Sequence, residues 1–404
     1  MTQSDRRNIR IDSLRGLACV LLVLHHVVGN NSTSGLQLDR SNGLVLFNDV
    51  LSYLRMPLFS MLSGYVYARR PFRQNAGAFI VGKARRLLIP MLVVGTAFAL
   101  LQAAVPGSNS QITDWHMLHI VPVAHYWFLA SLFVIFMAIL ALEHIRALAT
   151  LPRFVGAMAC AAVMFLTEPF PVYFGLAGAA YLFPFVLFGL WVGRFSGAAN
   201  DNTRLPLQLG VMAVLVAILH AVLVGQALPD NRSLIALVIG CGGCLVLLYS
   251  RIESARLASV GRHSFAIFLF HAMASAASRI ALTNAGLASI YVMVPAGMLA
   301  GVALPVMASL WMKKEPFWAH WVLGESAPKS TPKPTPKPTP KPTPKPTPKR
   351  TPTRSSGGIA SALAPVLSAH QKRVQKRMQR VRDRMAQAEI AQSVQSKQGT
   401  DTAF

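Results

Sequence analysis

The feature that most limits this chain is a series of apolar stretches, each close to the ~20 residues a helix needs to cross a bilayer. They fall at Leu14–Gly29, Leu44–Ala68, Leu87–Val105, His125–Leu142, Phe154–Phe170, Gly175–Phe195, Leu207–Leu228, Leu234–Tyr249, Ser264–Leu282 and Ala288–Trp311. This pattern predicts an all-α polytopic membrane helix bundle with about ten transmembrane helices. Composition agrees, with 53% hydrophobic and only 13% charged residues where soluble domains carry about 25% charge. A pair of soluble domains is therefore excluded. The net charge of +24 suggests a nucleic-acid binder at first, but it is unevenly placed. From Ser326 onward there are 16 Lys/Arg against three acids, while the first 325 residues hold 23 against 12, spread between the apolar runs. No nucleic acid is expected as a partner.

The basic residues also orient the chain. If the N-terminus is cytoplasmic, the inner segments carry eighteen Lys/Arg and the outer loops only Arg40, Arg232 and Arg279. That bias predicts both termini in the cytoplasm and an even number of spans. The first run is not a cleaved signal peptide, because it carries His25 and His26 and no small-residue cleavage pattern follows. The four cysteines lie within apolar runs and read as packing residues, and Cys241-Gly-Gly-Cys244 has no second pair to complete a metal site.

After the last span the composition changes. Three segments follow from this: a transmembrane domain over 1–325, a Pro/Lys/Thr-rich linker over 326–358 and a basic cytoplasmic tail over 359–404. The Pro-Lys-Pro-Thr repeat should extend as polyproline II, so the C-terminal tail is expected to be disordered apart from one element. In that element Val374, Met378, Val381, Met385 and Ala388 form an apolar stripe among Lys and Arg. A basic amphipathic helix of this kind suits anionic membrane lipid or another protein.

Ionisable residues inside spans are costly and tend to face a cavity or a partner. Asp12, Arg15, His25, His26, Asp49, Arg55, Glu168, His220, His271 and Arg279 are in this position. Arg15 and His26 stand eleven residues apart, about 20° past three full turns, so they share one helix face about 16 Å apart along the axis. An arginine at the cytoplasmic end could hold an anionic donor, and a histidine deeper in could accept a hydroxyl proton. Taken alone, a span histidine is more often a hydrogen-bonded structural residue. Arg55-Met-Pro57 and Ser63-Gly64-Tyr65 suggest a kinked helix with a close approach to a neighbour. The cluster Lys83-Ala-Arg85-Arg86 reads either as an inner-face anchor or as a phosphate site. His125-Tyr-Trp127 reads as an interfacial aromatic anchor. His271 is open between packing and a substrate role, and Glu168 is expected at the outer surface in contact with water. His116 and His119 in an outer loop do not amount to a metal site.

Taken in order, these residues resemble the acyltransferase 3 family of membrane-bound O-acyltransferases. The likeness is carried by Ile11-Asp12-Ser-Leu-Arg15-Gly-Leu-Ala with His26 eleven residues on, Met56-Pro-Leu-Phe with Leu62-Ser-Gly-Tyr65, and the basic cluster before Ile89-Pro90. Trp127-Phe-Leu129 and Gly261-Arg-His-Ser264 with Phe268-Leu-Phe-His271 extend it over roughly residues 8–315. The resemblance implies transfer of an acyl group, commonly acetyl, from cytosolic acyl-CoA to a hydroxyl of an envelope or secreted glycan, in a bacterial inner membrane and without a metal. It implies Arg15 and His26 as the catalytic pair, with Asp12 orienting Arg15. CoA phosphates would be held by Lys83, Arg85 and Arg86; Arg70 and Arg73 also fit the family's basic spacing. His271, Ser63, Tyr65 and Trp127 would line the acceptor site, for a glycan or glycolipid. A transporter or flippase remains the alternative, although no half-repeat is evident; a non-catalytic scaffold is the third reading.

Overall fold

A computed structural model describes residues 3–31, 33–69, 71–72, 75–106, 108–109, 114–195, 206–212, 214–215 and 229–325. Every regular element in them is helical. The α-helices are α1 (Gln3–Val28), α2 (Gly43–Val50), α3 (Ser52–Arg69), α4 (Ala76–Ala104), α5 (Trp127–His144) and α6 (Leu151–Thr167). They continue with α7 (Leu176–Phe195), α8 (Leu234–Tyr249), α9 (Ala255–Arg262), α10 (Ser264–Asn284), α11 (Ile290–Met312) and α12 (Pro316–Trp321). The tail from Ser326, with its linker and amphipathic stripe, lies outside the described residues, as does most of the seventh expected span.

Six helical segments are long and apolar enough to cross a membrane: Ile9–Val28, Ala76–Ala104, Ala124–His144, Tyr173–Phe195, Ser264–Asn284 and Ile290–Met312. The chain is thus an all-helical multi-pass membrane protein, with fewer full-length spans among the described residues than the ten expected. The fifth and eighth runs form shorter apolar helices of 17 and 16 residues. The second run is two elements, not one. It breaks at Leu51, between α2, which Asn42 caps through its side chain at 2.9 Å from Leu44 N, and α3. Across this break the Arg55 guanidinium reaches back to the Asn48 side-chain oxygen at 3.3 Å, which matters for the site.

The central pairing sets α3 along α7. The two backbones nearly touch at Gly64 and Gly189: a Cβ at Gly64 would stand 1.9 Å from the Val186 carbonyl oxygen, and one at Gly189 would stand 1.9 Å from that of Met61. Small residues at such crossings replace the missing hydrophobic drive between helices in lipid with close packing. The sequence expectation for Ser63-Gly64 holds in this respect. On the other flank α1 runs against α9 and α10. The buried Ser13 hydroxyl clamps its N-terminal half, donating to Ser254 O and accepting from Ser254 N, each at 3.1 Å. Between these halves α5 is fixed to α10 by Tyr126, whose buried hydroxyl donates to Leu269 O at 2.7 Å.

Candidate active site

Three histidines from three helices converge. His26 comes from the last turn of α1, His125 from the turn that starts α5, and His271 from the middle of α10. Their ring centroids are 5.4 Å (His26–His125), 4.7 Å (His26–His271) and 4.7 Å (His125–His271) apart. His271 is fully buried, and its Nδ1 contacts the carbonyl oxygens of Ile267 at 2.8 Å and Phe268 at 2.9 Å. Carbonyls only accept, so Nδ1 is assigned the proton and Nε2 carries a lone pair. That Nε2 and both ring nitrogens of His125 are buried without a partner. Buried polar atoms left this way are uncommon and call for a ligand. His125 is aimed by an unusual backbone: Ala124 sits at φ +46°, a conformation that non-glycine residues adopt at a cost and mostly at functional positions.

A second network adjoins the first. Asn48, fully buried, donates from Nδ2 to Gly29 O at 2.8 Å and lies 3.1 Å from His25 Nδ1. Its side-chain and backbone oxygens accept from Arg55 at 3.3 and 3.4 Å. His25 therefore faces this polar chain while His26 faces the other two histidines, as the 100° turn between successive helical residues requires.

Two cavities end on this centre. One, of about 870 Å³, is bordered by Asp49, Arg55, Trp127, Tyr181 and Arg232; the other, of about 1010 Å³, by Phe98, Leu101, Met273 and Arg279. Both are lined by His26 and His125. The histidine ligand atoms lie within 4.8 Å of one another, a spacing that could admit an ion. Three histidines without a carboxylate form a ligand set compatible with zinc, and the same lone pairs can accept from a hydroxyl, which brings its own proton.

The other expected site residues lie apart from this centre. Arg15 is half-buried and paired with Asp12 at 3.5 Å, three turns of α1 below His26. Lys83 lies 3.1 Å from the centroid of the Phe136 ring, a cation–π contact. Arg85 donates from Nε to Gly324 O at 3.3 Å, and Arg86 is exposed. Arg70 and Arg73 are outside the described residues. Ser63 closes onto its own helix through Phe59 O at 2.9 Å, and the Tyr65 hydroxyl accepts from Arg69 at 2.7 Å. Neither lines either cavity, whereas Trp127 lines the smaller one. Glu168 is 56% exposed but is not simply hydrated, because it pairs with Arg232.

Asn48 was not expected at the site, Arg55 was expected only as a costly ionisable residue of a kinked span, and His125 only as part of an interfacial anchor. Only Arg55 and Asn48 left a local signal in the sequence, as polar residues in an otherwise apolar run. His125 left none, since a histidine beside Tyr and Trp at a span end looks like an anchor.

Residues 8–313 match the family model Acyl_transf_3, described as an acyltransferase domain, which covers most of the chain. No curated protein and no solved structure matches it. With that coverage and a buried histidine centre built on the first helix, the chain belongs to the acyltransferase 3 family.

Proposed function

We propose that this protein is an integral-membrane O-acyltransferase that moves an acyl group, acetyl in the simplest case, from cytosolic acyl-CoA to a hydroxyl of an envelope or secreted glycan. The observation that carries this reading is the placement of His26 where two cavities meet, beside two further histidines, within a family of acyltransferases. His26 takes the proton of the acceptor hydroxyl as its oxygen attacks the thioester carbonyl. The new C–O ester bond forms, the C–S bond breaks, and the proton ends on the departing CoA thiolate or in solvent. His125 borders the same two cavities, and the His271 ring packs 4.7 Å from that of His26.

Arg15, oriented by Asp12, and the Lys83-Ala-Arg85-Arg86 cluster would bind CoA phosphates at the inner face. The separation of Arg15 from His26 along α1, about 16 Å, means that an extended thioester arm, not the phosphates, reaches the histidine centre. In this scheme ten spans place both termini in the cytoplasm of a bacterial inner membrane, and the tail from Ser326 tethers the protein to anionic lipid or another protein.

Orientation can be read by labelling. In a variant lacking the native cysteines, single cysteines at Ser110 and Asn231 should react with a membrane-impermeant maleimide added to intact cells. Those at Gln74 and Asn200 should react only after permeabilisation, and labelling of Gln74 in intact cells reverses the topology. The reaction itself is tested by incubating the purified chain with radiolabelled acetyl-CoA and candidate glycans. Label should pass to glycan in an ester that mild base removes. Retention of all label in acetyl-CoA across neutral and acidic glycans rejects the proposal.

A further inference from the structure

Among the described residues, Arg55 is the one lysine or arginine that is buried, at 4% exposure. It makes no ion pair: its only hydrogen bonds run to Asn48 at 3.3 and 3.4 Å, both long. Asp49 borders the same cavity but stands beyond ion-pair reach. A guanidinium held in this way is largely withdrawn from water and has no carboxylate in ion-pair contact, which is unfavourable within a membrane unless something else supplies the anion. The same cavity contains a second incomplete cation. Arg232 pairs through Nε with Glu168, donates from Nη2 to Ala177 O at 3.3 Å and stands over the Tyr181 ring, yet its Nη1 is buried without a partner.

We propose that the 870 Å³ cavity is a binding site for an anionic saccharide, whose carboxylate or phosphate is held by Arg55 and Arg232. Trp127 offers an aromatic side chain to the sugar ring, Tyr181 lines the wall beneath Arg232, and His26 borders the same space. Guanidinium groups are suited to this task because their fork matches the two oxygens of a carboxylate or phosphate. Asp49 and Asp230 also border the cavity, so its charged lining is Arg40, Arg55 and Arg232 against two carboxylates, one of which, Asp230, accepts from the Arg232 backbone N–H at 2.9 Å. Asp49 is left to accept from sugar hydroxyls. Assigning this ligand as the acyl acceptor rests on the proposed function; binding of the anion does not.

The test is calorimetric titration of the full-length protein in lipid nanodiscs with three probes: methyl glucuronoside, glucose 1-phosphate and methyl glucoside. At least one anionic probe should bind roughly tenfold to a hundredfold more tightly than the neutral one, the range expected for charged hydrogen bonds. Which of the first two binds tells carboxylate from phosphate. Arg55→Gln should abolish the preference, and Arg232→Gln should weaken it. Equal affinity for all three probes, no binding of either anion, or a preference that survives Arg55→Gln overturns the assignment. If Arg55→Gln does not insert, the native comparison and Arg232→Gln still decide. Tight anion binding without any acyl transfer would reject the proposed reaction and leave the site standing. Transfer to neutral glycans alone would do the reverse.

Discussion

Replacing His26 with alanine should lower acyl transfer by roughly 10²- to 10⁴-fold, the range lost when a general base is removed. The substitution deletes the one imidazole of α1 that faces both His125 and His271 and borders both cavities. Membrane insertion and monodispersity must match the native protein, since a histidine serving only as packing would act through misfolding. His25→Ala is the informative companion. His25 faces Asn48 and lies outside the cluster of three, so its loss should cost far less in turnover. Normal turnover in well-inserted His26→Ala protein would refute the mechanism.

The second large effect is on folding. Gly189→Leu should remove most properly folded protein, because even its Cβ would enter the space of the Met61 carbonyl oxygen. Overpacking ordinarily costs about 1–3 kcal/mol. Here the obstacle is backbone on an already close-packed helix pair, so neither side can yield without parting α3 from α7. The measurement is the monodisperse fraction in mild detergent and the melting temperature. Gly156→Leu is the control, since a Cβ at that exposed helical position would meet nothing within 4 Å. Equal behaviour of the two variants would show that the α3–α7 crossing does not limit stability.

Much of this was legible in the sequence, and the gaps have physical causes. Hydropathy identified the membrane class because the bilayer imposes one length on every crossing helix. Helical geometry put Arg15 and His26 on one face and turned His25 away, and the structure agrees. Gly64 marked a close approach because only a missing side chain allows one. The break at Leu51 left little trace, since both halves of that segment are apolar enough to read as one. The meeting of residues 26, 125 and 271 was hidden for a different reason. Periodicity assigns a residue to a face of its own helix but does not say which helices that face will meet. His125 shows the point: at a span end it has the composition of an anchor, and only the tie of Tyr126 to Leu269 of α10 brings it against His271.

The two cavities share His26 and His125, and that shared border acts as a septum about one side chain thick. Two molecules, one on each side, would be close enough to react while each stayed in its own chamber, and only a small fragment would need to pass. Apart from Ala124 the chambers are otherwise lined by different side chains, with Phe98, Met273 and Arg279 on one side and Arg55, Tyr181 and Arg232 on the other. Selection can therefore reshape the preference of one chamber without disturbing its neighbour, provided the septum is kept. A scaffold divided in this way can change what it modifies while its chemistry stays the same.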